Sequence, residues 1–498
     1  MPRSFSRASN VRNLDSRFRG NDGPKNVLVA HKEGALNPCA CKLEWALRRW
    51  ESTHLVRRSP YVLNFRAMRK VYIHTFGCQM NVHDSEKMVG VLKKEGYAQT
   101  RDMSEADLII FNTCSVRQKA EQKFYSELGR IKSFKTQRPG LKIAVAGCIA
   151  QQEADNLFKK SPLVDFVFGP QNIHLLKGIS NAASSGISVS VGDNPVIAEQ
   201  DLPISRQEGI RAWVTVMYGC NNFCSYCVVP YTRGRERSRP SDNIYREVFE
   251  LARTGCKEIT LLGQNVNSYR SDVDFPGLLR ELNRIGGIER IRFVTSHPKD
   301  LSPELIAAML ESSKVCEHIH LPLQSGSSSV LKRMNRGYTY SDYKAKVSEL
   351  RDMIPGISIT SDIIAGFPGE RDDDHMDTIN ALREIEFDGI FAFKYSLRPS
   401  TRAAGMPGQL PEYIKSQRLD EILKLQDEIT IAKNRSLEGT VQEILIEGES
   451  EPDREKISGR TRSNKIVNIS QTALAKGSVI KVEISKGRKH SLEGIPVS

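Results

Sequence analysis

Apolar and polar residues alternate with two different periods between residue 69 and about residue 180. Segments such as D-S-E-K-M-V-G-V-L-K-K-E (84–95) carry apolar residues at helical spacing. They separate short apolar runs that predict buried strands: V-Y-I-H-T-F (71–76), A-D-L-I-I-F (106–111), K-I-A-V-A (142–146) and V-D-F-V-F (164–168). Strands that alternate with helices predict a parallel sheet covered by helices.

The same alternation resumes from residue 206 to residue 435, after a segment (181–205) that predicts a linker with room for one short strand. Six apolar runs predict its strands: A-W-V-T-V-M-Y (212–218), E-I-T-L-L-G (258–263), I-R-F-V-T-S (291–296), H-I-H-L-P-L (318–323), I-S-I-T-S-D-I-I (357–364) and G-I-F-A-F-K-Y-S (389–396). Six β/α units favour a partial barrel over a full eight-stranded one. A long amphipathic helix over 411–435 closes the region.

The last part of the chain changes to short strands without helices, such as T-V-Q-E-I-L-I-E, K-I-V-N-I-S and S-V-I-K-V-E-I-S. About 60 residues of this pattern suit a small barrel of OB-like size. The predicted fold class is therefore a multidomain α/β protein. It has a parallel α/β sheet domain over 68–185, a partial (β/α)6 TIM-like barrel over 206–436 and a small all-β barrel over 437–498.

Composition narrows the class of protein. The chain has 498 residues, of which 39% are hydrophobic and 26% charged, as is usual for a globular protein of three or four domains. No run of about 18 apolar residues predicts a membrane-spanning helix, and the start of the chain lacks the apolar core of a secretory signal. We therefore expect a reducing, cytoplasmic compartment, where the ten cysteines act as metal ligands more often than as disulfides.

Residues 1–67, here called the leader, differ from the rest of the chain. They carry a net charge of +8 out of +13 and show no sustained strand or helix period, whereas Met68 opens a clear strand signal. We expect the leader to be disordered, or translation to start at Met68, with an Arg-rich transit peptide as a further alternative. Its cysteines, Cys39 and Cys41, have no predicted role. The charge of the remainder is only a mild indication of nucleic-acid binding.

Three cysteines lie within eight residues in the loop Y-G-C-N-N-F-C-S-Y-C (218–227). Structural zinc takes four ligands, commonly from two separated C-x2-C pairs, and no second pair follows Cys227. A four-iron cube usually takes four thiolates as well. Three thiolates leave one iron open to a small molecule, so the spacing favours an open-iron cluster held by Cys220, Cys224 and Cys227. Zinc or a structural role is the alternative.

A second set of three cysteines is scattered in sequence. Cys78, Cys114 and Cys148 end the first three predicted strands. The carboxyl ends of parallel strands meet at one edge, where open α/β sheets build their sites. We therefore expect the three thiols to converge. Packing of three core cysteines among small residues is the alternative.

The loop C-N-N-F-C-S-Y-C (220–227) resembles the signature of radical S-adenosylmethionine enzymes. The resemblance implies that S-adenosylmethionine binds the open iron and is cleaved to a radical by an electron from the cluster, so Cys220, Cys224 and Cys227 are the predicted catalytic cysteines. Tyr226 matches the aromatic position that lies near the adenine of the cofactor. Simple packing of the loop is the alternative role for Tyr226.

The chain from Met68 onward resembles methylthiotransferases in all three domains, and most closely the MiaB-type tRNA branch. The segments that carry the resemblance are C-Q-M-N-V-H-D-S-E (78–86), V-V-P-Y-T-R-G (228–234), L-L-G-Q-N-V-N-S-Y (261–269), M-N-R-G-Y-T (334–339) and S-D-I-I-A-G-F-P-G-E (361–370). G-R-T-R-S-N-K-I-V-N (459–468) resembles the RNA-binding TRAM domain. The departures are the leader and Arg371, where the family commonly has Thr.

The resemblance implies two [4Fe-4S] clusters, the second held by Cys78, Cys114 and Cys148, with S-adenosylmethionine as cofactor. One cofactor molecule would methylate sulfur, and a second would yield the radical that removes hydrogen from C2 of N6-isopentenyladenosine at position 37, next to the tRNA anticodon. The implied partners are a tRNA anticodon stem-loop, an electron donor and a sulfur source, with a monomer and no membrane. The alternatives are threonylcarbamoyl-adenosine in tRNA, a ribosomal protein, or an RNA-binding Fe–S protein without turnover.

Other polar residues at strand ends are candidates for the site. Those expected to face the cofactor, besides Tyr226, are Gly263, Gln264, Asn265, Gln324 and Asp362, although such residues also cap helices. Arg233, Arg235, Arg237 and Arg239 alternate after the cysteine loop and suit RNA phosphates, the cofactor carboxylate or salt bridges. The RNA-binding candidates are Arg233, Arg460, Arg462 and Lys465. We expect packing roles for His74, His297, His318, His320, Cys256 and Cys316.

Overall fold

The computed structural model describes residues 68–115, 118–179, 188–206, 209–450, 453–470 and 474–497. The predictions for the leader lie outside these residues. Within them, no helix is long and apolar enough to cross a membrane. The fold class predicted from the sequence is confirmed: a parallel sheet domain, a partial β/α barrel and a small closed barrel follow one another along the chain.

The first domain contains a parallel sheet whose described strands run in the order β2-β1-β3-β4-β5-β6. β3 and β4 lie at its centre, and nearly all of their residues are buried, because helices cover both faces. The strands are β1 (Arg69–Thr75), β2 (Tyr97–Gln99), β3 (Leu108–Thr113), β4 (Lys142–Gly147), β5 (Phe166–Phe168) and β6 (Ser188–Ser190). The helices are α1 (Gln79–Lys94), α2 (Gln118–Arg130), α3 (Lys132–Gln137), α4 (Cys148–Glu153) and α5 (Asn156–Lys160).

The second domain is an open barrel built from two parallel three-stranded sheets, in the orders β11-β10-β7 and β12-β13-β14. A single bridge between Ile291 and Val315 lies between the two sheets. The strands are β7 (Arg211–Thr215), β10 (Glu258–Leu262), β11 (Arg290–Phe293), β12 (His318–His320), β13 (Ser358–Ala365) and β14 (Gly389–Lys394). A short antiparallel pair, β8 (Met217–Tyr218) and β9 (Arg237–Ser238), follows β7.

Helices cover the outer face of this barrel and bury one continuous core against it. The helices of this domain are α6 (Val229–Thr232), α7 (Ser241–Arg253), α8 (Phe275–Asn283), α9 (Pro303–Glu311), α10 (Ser328–Arg333), α11 (Tyr340–Met353), α12 (Asp372–Ile385) and α13 (Glu412–Arg435). The start of α11 is fixed by a capping box, in which Thr339 and Asp342 each satisfy a backbone N–H of the other. α13 packs along β14 and closes the barrel, as the amphipathic pattern predicts.

The third domain is a closed barrel in the strand order β15-β16-β17-β19-β18. β17 and β19 pair in parallel and the other neighbours pair antiparallel. The strands are β15 (Val441–Glu449), β16 (Ile457–Thr461), β17 (Ile466–Ile469), β18 (Val479–Gly487) and β19 (Leu492–Pro496). Its interior is a small aliphatic core of Ile, Val and Leu.

The closed barrel packs against the amino-terminal ends of the open-barrel strands. Arg290 is fully buried at the start of β11 and donates to the carbonyls of Glu443 and Arg460. Arg292 donates to the carbonyls of Thr461 and Arg462. The cysteine loop described below lies at the carboxyl ends of the strands. The closed barrel and the cysteine loop therefore occupy opposite ends of the open barrel.

Candidate active site

The cysteine loop begins where β8 ends, and its first turn depends on Gly219. The backbone there has a φ of +71°, and a Cβ atom would lie 2.0 Å from the carbonyl oxygen of Arg235. Only glycine fits both the conformation and the space. The N–H of Gly219 donates to Oε1 of Gln264 at the end of β10. The loop is thereby fixed to the neighbouring strand.

A turn from another part of the barrel holds the middle of the loop. Ser225 N–H donates to the carbonyl of Met334 at 2.9 Å, and Asn335 donates to the carbonyls of Asn222 and Phe223. Arg336 is buried, and its guanidinium lies 3.4 Å from Cys224 Sγ and 3.3 Å from Tyr226 Oη. This turn is the M-N-R-G segment, whose residues received no predicted role. The basic residue Arg336 within this short turn is the sequence signal that indicates a role for the segment.

The three thiols of the loop are shielded from solvent. Cys220 and Cys224 are buried, and Cys227 is half-buried. Burial raises the pKa of Cys220 to about 11 and that of Cys227 to about 12, and the neighbouring Cys224 adds to both shifts. Because metals bind the thiolate, metal binding at this loop would release protons.

The second set of cysteines is brought together by glycines at the ends of strands. Gly77 has a φ of +114°, and a Cβ on it would lie 2.4 Å from Cβ of Cys114. Gly147 has a φ of +86°, and a Cβ there would lie 2.4 Å from the carbonyl oxygen of Thr113. The segments before Cys78 and Cys148 can therefore approach the end of β3 closely.

A buried ion pair links the second set of cysteines to the cysteine loop. Arg233 follows α6, and its guanidinium lies 2.8 Å from Asp84 Oδ2 and 3.0 Å from Asn81 Oδ1 on α1. Burial lowers the pKa of Arg233, but Asp84 and the thiols of Cys148 and Cys78 raise it more, so the net shift is upward. Arg233 therefore faces both the acid and two thiols of the first domain.

The other arginines after the loop also have partners within the protein. Arg237 pairs with Asp193 at 2.6 Å, and Arg239 pairs with Glu247 at 2.7 Å. Arg235 is exposed and lies over the ring of Phe223, 4.4 Å from its centroid. Salt bridges and stacking are thus what the structure shows for this alternating series.

The two cysteine sets suit clusters better than single ions. Among the residues that the structure describes, no three His, Cys, Asp or Glu side chains lie close enough to hold one metal ion. An iron–sulfur cube differs in this respect, because each thiolate binds its own iron. Both sets offer shielded cysteine thiols as donors, so their chemistry fits such a cluster.

Unpaired buried polar atoms gather at the ends of β10 and β11, beside the cysteine loop. Gln264 Nε2, Asn265 Oδ1, Ser296 Oγ and His297 Nε2 have no hydrogen-bond partner among the described residues. Buried polar atoms normally find partners, and each exception calls for an explanation. A polar cofactor at this edge would supply those partners. Burial also lowers the pKa of His297 to about 2, so its ring is neutral at ordinary pH.

The other predicted cofactor residues lie along the same side of the barrel. Gly263 stands where a Cβ would be 2.6 Å from Cγ of Met217. Gln324 has a φ of +73° and donates its N–H to the carbonyl of Asp362 at 2.8 Å. The side chain of Asp362 is half-exposed and lies 3.4 Å from Nε2 of His320. Their contacts with a cofactor stay a prediction.

The RNA-binding candidates all have protein partners. Arg460 lies 3.0 Å from Glu447, Arg462 lies 2.8 Å from Glu317, and Lys465 lies 3.1 Å from Asp388. The last two pairs cross from the closed barrel to the open barrel, and Arg233 is buried against Asp84. The structure therefore gives these side chains structural contacts, and their contacts with RNA stay a prediction.

The remaining predicted packing residues lie in the core or at its rim. Cys256 and Cys316 are buried, and His318 is buried with its pKa lowered to about 3 by burial. His74 stacks on Phe76 with ring centroids 4.3 Å apart.

Comparison with known proteins gives three matches along the chain. The uncharacterized protein family UPF0004 matches residues 70–169, the radical SAM superfamily matches residues 214–382, and the TRAM domain matches residues 435–497. The radical SAM methyltransferase TsrM from Kitasatospora setae has a similar fold. Its structure aligns with a TM-score of 0.53 at 16% identity and covers 68% of this chain and 75% of that protein.

Curated relatives are similar over most of the chain. A tRNA-2-methylthio-N(6)-dimethylallyladenosine synthase from Thermodesulfovibrio yellowstonii is 54% identical, over 86% of this chain and 99% of the relative. A protein of the same name from Syntrophus aciditrophicus is 49% identical, over 86% of this chain and 94% of the relative. The aligned region therefore includes nearly the whole of both relatives.

Proposed function

The chain belongs to the family of tRNA-2-methylthio-N(6)-dimethylallyladenosine synthases, and from that premise we propose that it attaches a methylthio group to C2 of N6-dimethylallyladenosine in tRNA. This nucleoside is also called N6-isopentenyladenosine. The observation that carries the proposal is the pair of cysteine sets, which are linked through Arg233 and Asp84. We place the modified base at position 37, next to the anticodon.

We propose which residues hold the cofactors. Cys220, Cys224 and Cys227 would hold one four-iron cluster, and Cys78, Cys114 and Cys148 a second. S-adenosylmethionine would lie against the polar strand ends at Gln264 and Asn265. When bound, these groups supply the hydrogen abstraction and the methylthio group that a C2–H bond without a leaving group requires.

The residues of the chain itself position and shield this chemistry. Arg336 places a buried positive charge between the Cys224 sulfur and the Tyr226 hydroxyl. Gln264 fixes the start of the cysteine loop through Gly219. Because the cysteines lie in buried or half-buried positions, water has little access to the reacting centre.

Each of the three domains has its own proposed role. We propose that residues 68–185 carry the second cluster, residues 206–436 the cofactor site, and residues 437–498 a TRAM barrel that contacts the tRNA stem-loop. A reductant must supply the electron and a sulfur source the sulfur atom. We further propose that the protein works as a monomer in the cytoplasm.

Nucleoside mass spectrometry of stem-loop RNA tests this function. Anaerobically reconstituted protein is incubated with S-adenosylmethionine, a reductant, sulfide and RNA that contains N6-dimethylallyladenosine. We expect the 2-methylthio nucleoside from the wild type. Cys78→Ala should form 5′-deoxyadenosine without methylthio product, Cys220→Ala should form neither, and the packing variant Cys256→Ala should form both. Absence of methylthio product from the wild type, with eight irons bound per chain as two cubes require, would contradict the proposal.

The alternative substrates are separated by the same assay. RNA with threonylcarbamoyl-adenosine and isolated ribosomal proteins replace the first substrate under identical conditions. Product from either one, with none from the dimethylallyl RNA, would favour that alternative. Failure to form 5′-deoxyadenosine with any substrate would favour an RNA-binding Fe–S protein without turnover.

A further inference from the structure

The last strand of the open barrel, β14, presents two half-exposed phenylalanines to the interior. In β14, Ile390 and Ala392 pack against the core beneath α13, and Lys394 pairs with Glu412 on that helix. Because side chains alternate along a strand, Phe391 and Phe393 point to the opposite face. They are 56% and 41% exposed. Exposed large apolar side chains that lie together within a cleft indicate a binding surface.

The neighbouring strand adds one acid to this interior face. In β13 the residues facing the helices are buried, whereas Thr360, Asp362 and Ile364 alternate with them and are half-buried. The strand register places Asp362 beside Phe391 and Ile364 beside Phe393. His320 on β12 completes the row, with its ring centroid 5.9 Å from that of Phe391. We call Phe391, Phe393, Asp362 and Ile364 the interior wall.

The interior wall reaches the cysteine loop. Ile364 and Tyr226, which immediately precedes Cys227, both pack against one apolar cluster that contains Val330 and Met334. The interior wall and Tyr226 of the cysteine loop are therefore connected through one apolar cluster.

The apolar and acidic side chains of the interior wall suit some modified adenosines better than others. A dimethylallyl group is branched, apolar and uncharged, whereas a threonylcarbamoyl group carries a carboxylate. The interior-facing positions of β12, β13 and β14 hold no Lys or Arg to pair with that carboxylate, and Asp362 would repel it. A site that leaves a carboxylate unpaired rejects it strongly.

We propose that Phe391 and Phe393 bind the dimethylallyl group and that Asp362 excludes adenosines bearing an acidic substituent. This inference rests on the proposed function and names the residues that set its substrate. It gives Asp362 a role in substrate choice, in addition to its predicted place near the cofactor.

Competition binding to the reconstituted holoenzyme tests the inference. Three stem-loop RNAs of one sequence carry adenosine, N6-dimethylallyladenosine or threonylcarbamoyl-adenosine at the modified position. We expect the wild type to prefer the dimethylallyl RNA over the adenosine RNA. Phe391→Ala and Phe393→Ala should each lower that preference on the order of 10-fold, while Phe391→Leu retains most of it. Asp362→Asn should raise affinity for the threonylcarbamoyl RNA several-fold relative to the dimethylallyl RNA.

Controls separate this inference from the proposed function. Met376→Ala removes a similarly exposed apolar side chain from α12, on the outside of the barrel, and should keep the wild-type preference. Iron content shows whether each variant has folded. If the wild type forms methylthio product and both alanine variants keep its preference, the inference is overturned while the function stands. If the wild type forms no product, the function itself has failed.

Discussion

At the scale of single residues, Arg233 is notable because its charge is buried. Its guanidinium and the carboxylate of Asp84 are both buried, and each is the other's ion-pair partner. Removing one member of a buried pair leaves the other charge without compensation, which costs far more than the pair gains over apolar residues. The pair therefore fixes α1 against the segment after the cysteine loop, whatever its net contribution to stability.

We predict that Arg233→Met lowers the free energy of unfolding by about 3–5 kcal/mol. The double variant Arg233→Met, Asp84→Asn should recover part of this loss, because the buried carboxylate is gone. Anaerobic urea unfolding measures both. Arg253→Met, which breaks an exposed pair with Glu250, serves as the control and should change stability by less than about 0.5 kcal/mol. Equal effects of Arg233→Met and Arg253→Met would contradict the role of the buried pair.

At the scale of secondary-structure elements, α1 contacts the linker that leads to the open barrel. Gly90 lies in the middle of this helix, where alanine normally favours helix formation. A Cβ at this position would lie 2.1 Å from the carbonyl oxygen of Pro203. The linker backbone can therefore pack against α1 only because residue 90 has no side chain.

We predict that Gly90→Ala destabilises the protein by about 1–3 kcal/mol, since the linker must move away. Gly129→Ala is the matched substitution in α2, where a Cβ meets nothing within 4 Å, and it should stabilise by about 0.5–1 kcal/mol. Thermal unfolding of the two variants gives the sign of each change. Hydrogen exchange near Pro203 should rise in Gly90→Ala alone; stabilisation by both substitutions would exclude the contact.

Some elements were predictable and others were not, for physical reasons. β3 and β4 are continuous apolar runs, which only a buried strand or helix explains, and they were predicted within two residues. β16 (I-S-G-R-T) escaped prediction because its apolar signal is interrupted by Gly459, and a Cβ there would lie 2.4 Å from Ile444 Cγ2. β19 (L-E-G-I-P) contains a similarly enclosed glycine. Close packing requires glycine at these positions. The apolar side chains that would mark a strand in the sequence are therefore absent.

The candidate site, too, was predictable from the sequence only in part. The two cysteine sets follow from spacing and strand ends, which are local properties of the sequence. The contact between Arg336 and Cys224 joins residues 112 positions apart, and the strand register that aligns Phe391 with Asp362 depends on the pairing of β13 with β14. Such contacts exist only after tertiary folding, so periodicity cannot reveal them.

At the scale of the whole molecule, the closed barrel is attached through buried arginines. Arg290 donates from the open barrel to two carbonyls of the closed barrel and lies 2.9 Å from the carboxylate of Glu443. Each acceptor that loses its donor in a buried interface costs about 1–3 kcal/mol. The orientation of the third domain should therefore depend strongly on this side chain.

We predict that Arg290→Met loosens the closed barrel without unfolding the open one. Hydrogen exchange of the amides in β15 and β16 should accelerate on the order of 10-fold, as expected for a loss of about 1.4 kcal/mol, while exchange in β13 stays unchanged. Arg280→Met, which breaks an exposed pair with Glu311, is the control and should leave both regions as they are. Unchanged exchange in β15 of Arg290→Met would show that the domain is held by other contacts.

The spacing of the cysteines also bears on how the protein matures. Cys220, Cys224 and Cys227 leave the ribosome almost together, so a short length of nascent chain already contains all three. Cys78 and Cys148 are separated by 70 positions and meet only after β1, β3 and β4 have joined in one sheet. Long-range strand pairing of this kind is slow compared with loop closure. Under the proposed assignment of clusters to the two sets, iron delivery to the first domain must therefore wait until these strands have paired.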